Sequence, residues 1–301
     1  MIKLIKMEEF NKEEIKKLFK PAANSTKEDN GKVTIIGGSS LFHGAPILAL
    51  KTASRVVDMV FFSSPQSSVG KVAEKIKSQL GSFIWVPFEE VGKYIQKSDA
   101  VLIGPGFMRY RKESQSLSCK HQKLCDEEGY KTKRITETFL RQFPQKQWVI
   151  DAGSLQVMDK KFIPKNAILT PNRKEFQMLF NLKSQISNLK TKSQILNLVK
   201  QKAEEYRCII VLKLAQTIVC SPDKCVVIEG GNAGLTKGGT GDVLAGLTVG
   251  LVAKNEPFLA ACTASFILKK AADQLYKKVG FAYNADDLAQ KIPEVLGEYW
   301  R

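Results

Sequence analysis

Short apolar runs alternate with amphipathic stretches along most of this chain. β-Branched and aromatic residues concentrate in VTIIGG (33–38), DMVFFSS (58–64), FIWVPF (83–88), AVLIGPG (100–106), WVIDAGS (148–154), AILTPN (167–172) and CIIVLKL (208–214). Each run predicts a buried strand that ends at or near a turn. Intervening segments such as APILALKTASRVV and VGKVAEKIKSQL have helical spacing. The alternation predicts an α/β fold with a mostly parallel sheet covered by helices on both faces.

Four segments depart from this alternation. TIVCSP and CVVIEGG predict an antiparallel hairpin around Pro222 and Asp223. The polar, basic residues 107–131 predict a surface insertion. The stretch LKSQISNLKTKSQILNL predicts an extended polar helix, and the amino-terminal MIKLIKMEEFNKEEIKKLF predicts a short amphipathic helix. We therefore expect an amino-terminal helical extension over residues 1–30 and one α/β domain over residues 31–301.

Composition is consistent with a globular protein of this kind. The 301 residues are 44% hydrophobic and 25% charged, which suits one large α/β domain or two small ones. The best apolar run, VLAGLTVGLVA, stops at Lys254 and is too short to span a membrane. The amino terminus lacks the uninterrupted apolar stretch of a signal peptide. These features predict a cytoplasmic protein that does not bind membranes.

The net charge of +16 is compatible with nucleic acid, a membrane surface or an anionic small substrate. The lysines are spread along the chain, and no basic stripe is interleaved with aromatic residues. This distribution favours a solvated basic surface, with a small-molecule substrate and no nucleic-acid partner. The number of subunits stays open, a homo-oligomer included.

The six cysteines do not form a recognisable metal-binding pattern. Cys208, Cys220, Cys225 and Cys262 lie in or beside apolar runs, where a free cysteine acts as a small hydrophobic residue. Cys119, His121 and Cys125 are close in sequence, but no CxxC pair or second ligand pair accompanies them. We expect reduced thiols and no protein-bound metal of this type.

Polar and glycine-rich residues follow five of the predicted strands, as GGSS, GPG, DAGS, TPN and KLAQT. Such residues form turns in every protein, so each ending taken alone has an ordinary structural explanation. In an open α/β sheet, however, ligands bind outside the carboxyl ends of the strands. The five endings together predict one binding crevice.

The segment GGTGD, residues 238–242, precedes the apolar helix predicted for VLAGLTVGLVA. Helix N-termini present free N–H groups and a partial positive charge, and glycines allow these groups to form an anion-binding nest. Asp242 at this position can be a helix cap. It can also accept the proton of a hydroxyl that attacks a phosphoryl group. The segment predicts phosphoryl transfer, with the nest and Mg²⁺ stabilising the developing charge.

The tract GNAGLTKGGTGDVLAGL resembles the closing signature of the ADP- or ATP-dependent NAD(P)H-hydrate dehydratases, a branch of the ribokinase-like superfamily. IIGGSSLFHGAPILAL, VLIGPGF, VIDAGSLQVM, ILTPNRKEF and VLKLAQTIV are similar to further landmarks of that family, in the same order. The resemblance implies a three-layer α/β/α sandwich. It implies an enzyme that phosphorylates the ring hydroxyl of hydrated NADH or NADPH from ADP or ATP, with Mg²⁺. Phosphate then leaves, and the reduced dinucleotide is regenerated.

The resemblance also assigns roles to residues of this chain. Asp242 would be the base, and the nucleotide would be bound by Lys213, Leu214, Ala215, Gln216, Thr217, Asn232, Gly238, Gly239, Thr240 and Gly241. The hydrated dinucleotide would contact Ala45, Gly106, Asp151, Asn172 and Asp242. Asp151 is equally well explained as a strand-end cap. His43, a lone histidine in the first of these turns, is left out of the catalytic set.

Three positions depart from the family pattern. Leu214 stands where glycine is usual, Asn172 where histidine is common, and Phe107 with Met108 where a further glycine is common. Leu214 could restrict the approach of the nucleotide phosphates, whereas Asn172 removes a titratable group but keeps hydrogen bonding. About thirty residues precede the first strand, too few for the epimerase domain that often accompanies this family.

Two other functions account for part of the sequence. A thiazole or hydroxymethylpyrimidine kinase of the same superfamily would share GTGD, but would release a stable phosphorylated product. A basic nucleic-acid-binding protein would account for the charge, and its affinity would fall steeply with salt.

Overall fold

The computed structural model describes residues 8–110, 122–182 and 191–300. Its centre is a nine-stranded sheet with the order β3–β2–β1–β4–β5–β6–β7–β8–β9. All neighbouring strands from β3 through β7 pair in parallel. The pairs β7–β8 and β8–β9 are antiparallel, and the β8–β9 pair confirms the predicted hairpin. The strands are β1 (Lys32–Ile36), β2 (Met59–Ser63), β3 (Ile84–Trp85), β4 (Ala100–Ile103), β5 (Gln147–Ile150), β6 (Ile168–Leu169), β7 (Ile209–Leu212), β8 (Thr217–Cys220) and β9 (Cys225–Ile228).

Helices connect the strands and cover the sheet. We label them α1 (Gly44–Ala53), α2 (Ser67–Ile76), α3 (Val91–Lys97), α4 (Gln122–Gln142), α5 (Ala152–Val157), α6 (Arg173–Leu179), α7 (Lys192–Tyr206), α8 (Thr240–Val252), α9 (Pro257–Val279) and α10 (Ala285–Trp300). One core cluster joins the sheet to α1, α2, α8, α9 and α10. A second joins its other face to helices α3 to α7. The protein is therefore a three-layer α/β/α sandwich, as predicted.

Helices α1 and α8 lie in close contact and begin at the same edge of the sheet. A Cβ atom on Gly246 would lie 2.3 Å from the backbone oxygen of Ala49, so only glycine permits this approach. Helix α8 is buried along nearly all its length because it packs between the sheet and its neighbouring helices. This packing holds the first turn of α8, with Asp242, at the carboxyl edge of the strands.

The amino-terminal segment differs from its prediction. Within the described residues, the predicted amphipathic helix is only a 3₁₀ helix, Lys12–Lys17. Ahead of it, Glu9 forms a parallel bridge with Val227 of the edge strand β9. Further along, the indole of Trp300 donates a hydrogen bond to the Phe19 carbonyl at 3.0 Å. The pairing of Glu9 with Val227 satisfies backbone groups of the edge strand β9, which would stay unpaired if the amino-terminal segment were a helix at this place.

The polar insertion and the extended polar helix are also revised. Residues 111–121 and 183–190 lie outside the described residues. Phe107 and Met108 are buried, and α4 already begins at Gln122, so the two ends of the predicted insertion belong to the packed framework. Gly153 allows the Phe107 carbonyl to pack closely, since a Cβ there would lie 2.2 Å from that oxygen. Helix α7 begins after a capping box at Thr191.

The cysteine prediction is wrong for one pair. Cys220 and Cys225 form a disulfide, because the hairpin register places them directly opposite each other on β8 and β9. Cys208 and Cys262 are free and buried, as predicted. Cys119 and His121 lie outside the described residues, as does the side chain of Cys125.

In the described part of the chain, no helix combines the length and the apolar character that a membrane crossing requires.

Candidate active site

The predicted crevice is assembled from adjacent strands. Strands β1, β4, β5, β6 and β7 are consecutive neighbours in the sheet. Their carboxyl ends therefore meet at one edge. Gly104, with φ of 122°, allows the β4 turn to contact the next one, since a Cβ there would lie 1.9 Å from the Asp151 carbonyl oxygen. The Gly38 amide donates to the Pro105 carbonyl at 2.8 Å, which ties the β1 turn to the β4 turn.

A buried group of charged side chains lies at this edge. The Lys213 ammonium after β7 is 2.9 Å from Oδ1 of Asp151, which follows β5. It is 4.0 Å from Oε2 of Glu175 on α6. Asp151 is 1% and Glu175 6% exposed, and the Thr170 hydroxyl donates to the same Asp151 oxygen at 2.8 Å. Burying charges is costly unless each is fully paired, and here two carboxylates share one lysine. This arrangement therefore points to a functional site.

Asp242 is the fourth member of this charged group. It lies in the first turn of α8 and interacts electrostatically with Asp151, Lys213 and Glu175. Burial, followed by the negative charge of Asp151, raises the pKa of Asp242 to about 7, although Lys213 acts in the opposite direction. A carboxyl group with this pKa is available as a base at neutral pH.

The carboxylates have the reverse effect on Lys213. Burial disfavours its charged form, but Asp151, Glu175 and Asp242 together raise the pKa of Lys213 above its ordinary value. Burial also raises the pKa of Glu175. Lys213 therefore stays cationic, and its single positive charge is shared as a partner by several carboxyl groups.

The glycine loop brings this cation to the start of α8. A Cβ atom on Gly241 would lie 3.1 Å from the Lys213 Nζ atom. Gly239 is the N-cap of α8 with φ of 92°, a conformation that favours glycine. The Thr240 hydroxyl donates to the carbonyls of Leu235 and Lys237, so its side chain holds the loop in place. The first turn of a helix presents N–H groups without intrahelical acceptors, and here a cation lies beside it.

The remaining predicted nucleotide residues border two loops near this cluster. Leu214 packs against the second core cluster and lines a small apolar cavity with Ile195 and Ile218. Its φ is not positive, so glycine is not required at this position. The Gln216 side chain donates to the Glu229 carboxylate. Thr217 is buried at the start of β8.

Asn232 and Gly234, on the other loop, are held by internal contacts. The side-chain Oδ1 atom of Asn232 accepts from the Gly234 amide at 3.0 Å and from the Tyr283 hydroxyl at 2.7 Å. The side-chain Nδ2 atom of Asn232 donates to the Ala272 carbonyl at 2.9 Å. The side chain of Asn232 thus shapes the loop.

The predicted substrate residues lie in two places: one beside the β1 and β4 turns, and one at the charged cluster and the start of α6. Ala45 and Gly106 are neighbours, since a Cβ on Gly106 would lie 3.3 Å from the Ala45 Cβ. Asn172 is the N-cap of α6 and forms a capping box with Glu175. The His43 ring, which was left out of the catalytic set, pairs with the Ser68 hydroxyl at 3.0 Å.

Glu175 is the site residue that the sequence analysis missed. The Asn172 amide donates to its Oε2 at 2.8 Å, and Gln156 donates to its Oε1 at 3.1 Å. The spacing N-x-x-E in TPNRKEF is a capping-box pattern and was the available signal. Only the fold shows that the same carboxylate also faces Lys213.

Comparison with known proteins identifies relatives of this chain. A family profile described as NAD(P)H-hydrate dehydratase matches residues 33–294. The chain is 36% identical over 299 residues to the bifunctional NAD(P)H-hydrate repair enzyme Nnr of Methanocaldococcus jannaschii, covering 94% of this chain and 51% of that protein. It therefore spans about half the length of that relative. The ADP-dependent (S)-NAD(P)H-hydrate dehydratase of Nitrosopumilus maritimus is 30% identical, with 91% of each chain covered.

A solved structure has the same fold. The Bacillus subtilis ADP/ATP-dependent NAD(P)H-hydrate dehydratase, co-crystallised with ATP and Mg²⁺, superposes with a TM-score of 0.74 at 22% identity. The alignment covers 97% of this chain and 99% of that one. At this level of identity the similarity establishes the shared α/β/α fold.

Proposed function

Because the chain belongs to the NAD(P)H-hydrate dehydratase family, we propose that it repairs hydrated NADH or NADPH at the expense of ADP or ATP. The observation that carries this proposal is the placement of Asp242. Its carboxyl group has a pKa of about 7 and lies in the first turn of α8, behind a glycine loop and beside the half-buried Lys213. A base, an anion-binding loop and a fixed cation are the parts that phosphoryl transfer requires.

In the proposed first step, the Asp242 carboxylate accepts the proton of the ring hydroxyl. The hydroxyl oxygen bonds to the terminal phosphorus, and the bond from that phosphorus to the bridging oxygen breaks. AMP or ADP leaves. Lys213, next to Gly241, stabilises negative charge on the transferring group together with the N–H groups of the loop.

In the second step, the C–O bond breaks and phosphate leaves with the bonding electron pair. The ring nitrogen supplies its lone pair, and loss of a proton from the neighbouring carbon restores the double bond. Phosphate is a far better leaving group than hydroxide. Phosphorylation thus makes a dehydration feasible that the hydrate undergoes poorly by itself.

Asp151 and Glu175 are the carboxylates of this cluster that would hold Mg²⁺, together with nucleotide phosphates and water. Among the described residues, no group of three or more histidine, cysteine or acidic side chains is arranged to hold a metal. Mg²⁺ in such sites is commonly held by one or two carboxylates together with substrate phosphates and water. When bound, it would neutralise phosphate charge. The residues of this chain would place the base and the cation.

The decisive assay mixes hydrated NADH with the protein, Mg²⁺ and either ADP or ATP. We expect the absorbance of the reduced nicotinamide to return, together with inorganic phosphate. Asp242→Ala should abolish turnover while the protein still folds and binds nucleotide. A stable phosphorylated product would instead indicate a small-molecule kinase. No reaction with either nucleotide would remove the proposal.

Three finer predictions accompany the proposal and depend on separate measurements. The absence of a nucleic-acid partner is tested by the salt dependence of DNA and RNA binding, since phosphate contacts weaken steeply as salt rises. The predicted cytoplasmic location is tested by cell fractionation. The number of subunits, a homo-oligomer included, is tested by sedimentation.

A further inference from the structure

Lys269, in the middle of α9, is a buried lysine without an assigned role. It is 4% exposed, whereas lysine is rarely buried unless it is paired. Its Nζ atom donates to the Ala215 carbonyl at 2.6 Å and to the Gly230 carbonyl at 2.8 Å. These contacts use two of its three donors.

The two carbonyls belong to different loops of the proposed nucleotide site. Ala215 lies in the β7–β8 connection that begins with Lys213, and Gly230 lies in the segment that leads from β9 to Asn232. Gln216 and Glu229 also pair between these loops. Lys269 on α9 therefore joins the two loops through one hydrogen bond to each.

The second loop is shaped around this lysine. Gly230 and Gly231 have φ of 90° and 76°. A Cβ on Gly231 would lie 3.1 Å from the Lys269 Cγ atom, and the Gly231 amide donates to Asp273 Oδ2 at 3.1 Å. One turn of α9 thus fixes the loop backbone through Lys269 and Asp273.

The electrostatics agree with a fixed cation at this position. Burial lowers the pKa of Lys269, while the charges of Asp273 and Glu229 act against that effect. The hydrogen-bond acceptors of Lys269 are neutral carbonyls, so its charge is offset only through the nearby carboxylates of Asp273 and Glu229.

We propose that Lys269 is a positioning residue that sets the spacing of the two loops and thereby determines the affinity for the adenine nucleotide. It acts through Ala215 and Gly230 and does not touch the reacting atoms. The inference rests on the proposed function, because it takes a nucleoside di- or triphosphate as the ligand of these loops.

The test compares Lys269→Met with Lys270→Met. The first removes the charge and both hydrogen bonds but keeps a similar stem, and the second changes the neighbouring lysine, whose ammonium lies over the Phe266 ring. We expect Lys269→Met to raise the Kd and the KM for ADP and ATP about tenfold or more, as the loss of charged hydrogen bonds predicts. The kcat and the KM for the hydrate should change less than about threefold, well below one tenfold step. Lys270→Met should behave as the wild type does.

Gly231→Ala is a second variant that disturbs the same contact while it keeps the lysine. Its methyl group would press on Lys269 Cγ and Leu235 in an unfavourable backbone conformation. We expect the same selective loss of nucleotide affinity. Amide exchange should become faster at residues 215–217 and 230–231 in both variants.

The outcomes separate this inference from the proposed function. Unchanged nucleotide affinity in a folded Lys269→Met protein overturns the inference. So does a fall in kcat equal to the rise in KM. Nucleotide binding is measured without the hydrate, by calorimetry. A wild-type protein that binds nucleotide but does not act on hydrated NADH would remove the proposed function and leave the Lys269 test valid.

Discussion

At the scale of single residues, Asp242 shows how the environment determines chemistry. An aspartate in water ionises far below neutral pH, whereas burial and nearby carboxylates raise the pKa of Asp242 to about 7. Lys213 opposes this shift and lies next to Gly241 in the same loop. The pKa of the proposed base thus depends on its burial and on the balance between one cation and its acidic neighbours.

This balance predicts the pH dependence of turnover. Because Asp242 must be deprotonated to act as a base, kcat/KM should rise with pH and level off above about 7. Lys213→Met removes the cation that lowers the pKa of Asp242, so the rise should move to higher pH. Rate profiles from pH 5 to 9 measure this. Lys174→Met, at an exposed lysine beside Glu175, is the control. A profile that stays in place in Lys213→Met would contradict the assignment.

Asp242→Asn is a further control, because it should abolish activity but raise the stability of the folded protein at high pH. Since the folded pKa of Asp242 is raised, its contribution to stability is full below the unfolded pKa near 3.8 and is lost as pH rises through about 7. One pKa unit corresponds to about 1.4 kcal/mol. The inactive variant should therefore be more stable than the wild type at pH 8, measured by urea unfolding, and the difference should shrink at pH 5.

At the scale of elements, the start of α8 depends on a loop whose backbone few residues can adopt. Gly239 combines φ of 92° with close neighbours, because a Cβ would lie 2.5 Å from Leu48 Cδ1 and 2.8 Å from Ala285 Cβ. Gly238, one residue earlier, has open space around it. A side chain is therefore excluded at Gly239 but has room at Gly238.

Gly239→Ala should lower the free energy of unfolding by at least about 2 kcal/mol, from the left-handed backbone and the steric overlap together. Gly238→Ala should change it by less than about 0.5 kcal/mol, as expected at an open position. Chemical denaturation of both variants measures the difference. Equal losses would show that the loop tolerates a side chain at either position.

At the scale of the whole molecule, the sheet order brings five strand endings together, and the chain carries a net charge of +16. The two ligands of the proposed reaction, a nucleotide and a dinucleotide, are both polyanions. A basic protein attracts such ligands over distances comparable to the Debye length.

We expect kcat/KM to fall as ionic strength rises from about 10 mM to about 150 mM, where the Debye length shortens from about 30 Å to about 8 Å. The kcat at saturating substrate should stay nearly constant, because steering affects encounter and not the chemical step. Potassium chloride titrations of the turnover assay measure both quantities. A kcat/KM that is independent of salt would show that the charge has no role in substrate capture.

Local patterns predicted much of this fold. The apolar runs 33–38, 100–106 and 148–154 overlap strands β1, β4 and β5, and the hairpin around Pro222 forms where turn residues separate two β-branched runs. These predictions succeed because periodicity and turn chemistry act within a few residues. Where the partner is distant, local pattern is less reliable: among the described amino-terminal residues, a bridge from Glu9 to β9 and a short 3₁₀ helix stand where an amphipathic helix was predicted.

The sequence by itself determined which strand endings lie together at one edge of the sheet and that Asp242 lies in the first turn of a helix behind a glycine loop. It could do so because parallel strands always place their carboxyl ends at one edge. Tertiary structure alone decided that Glu175 faces Lys213, that Lys269 joins two loops, and that Cys220 meets Cys225. Each of these contacts depends on strand register or helix packing. Those are set by the whole core, so no short stretch of residues encodes them.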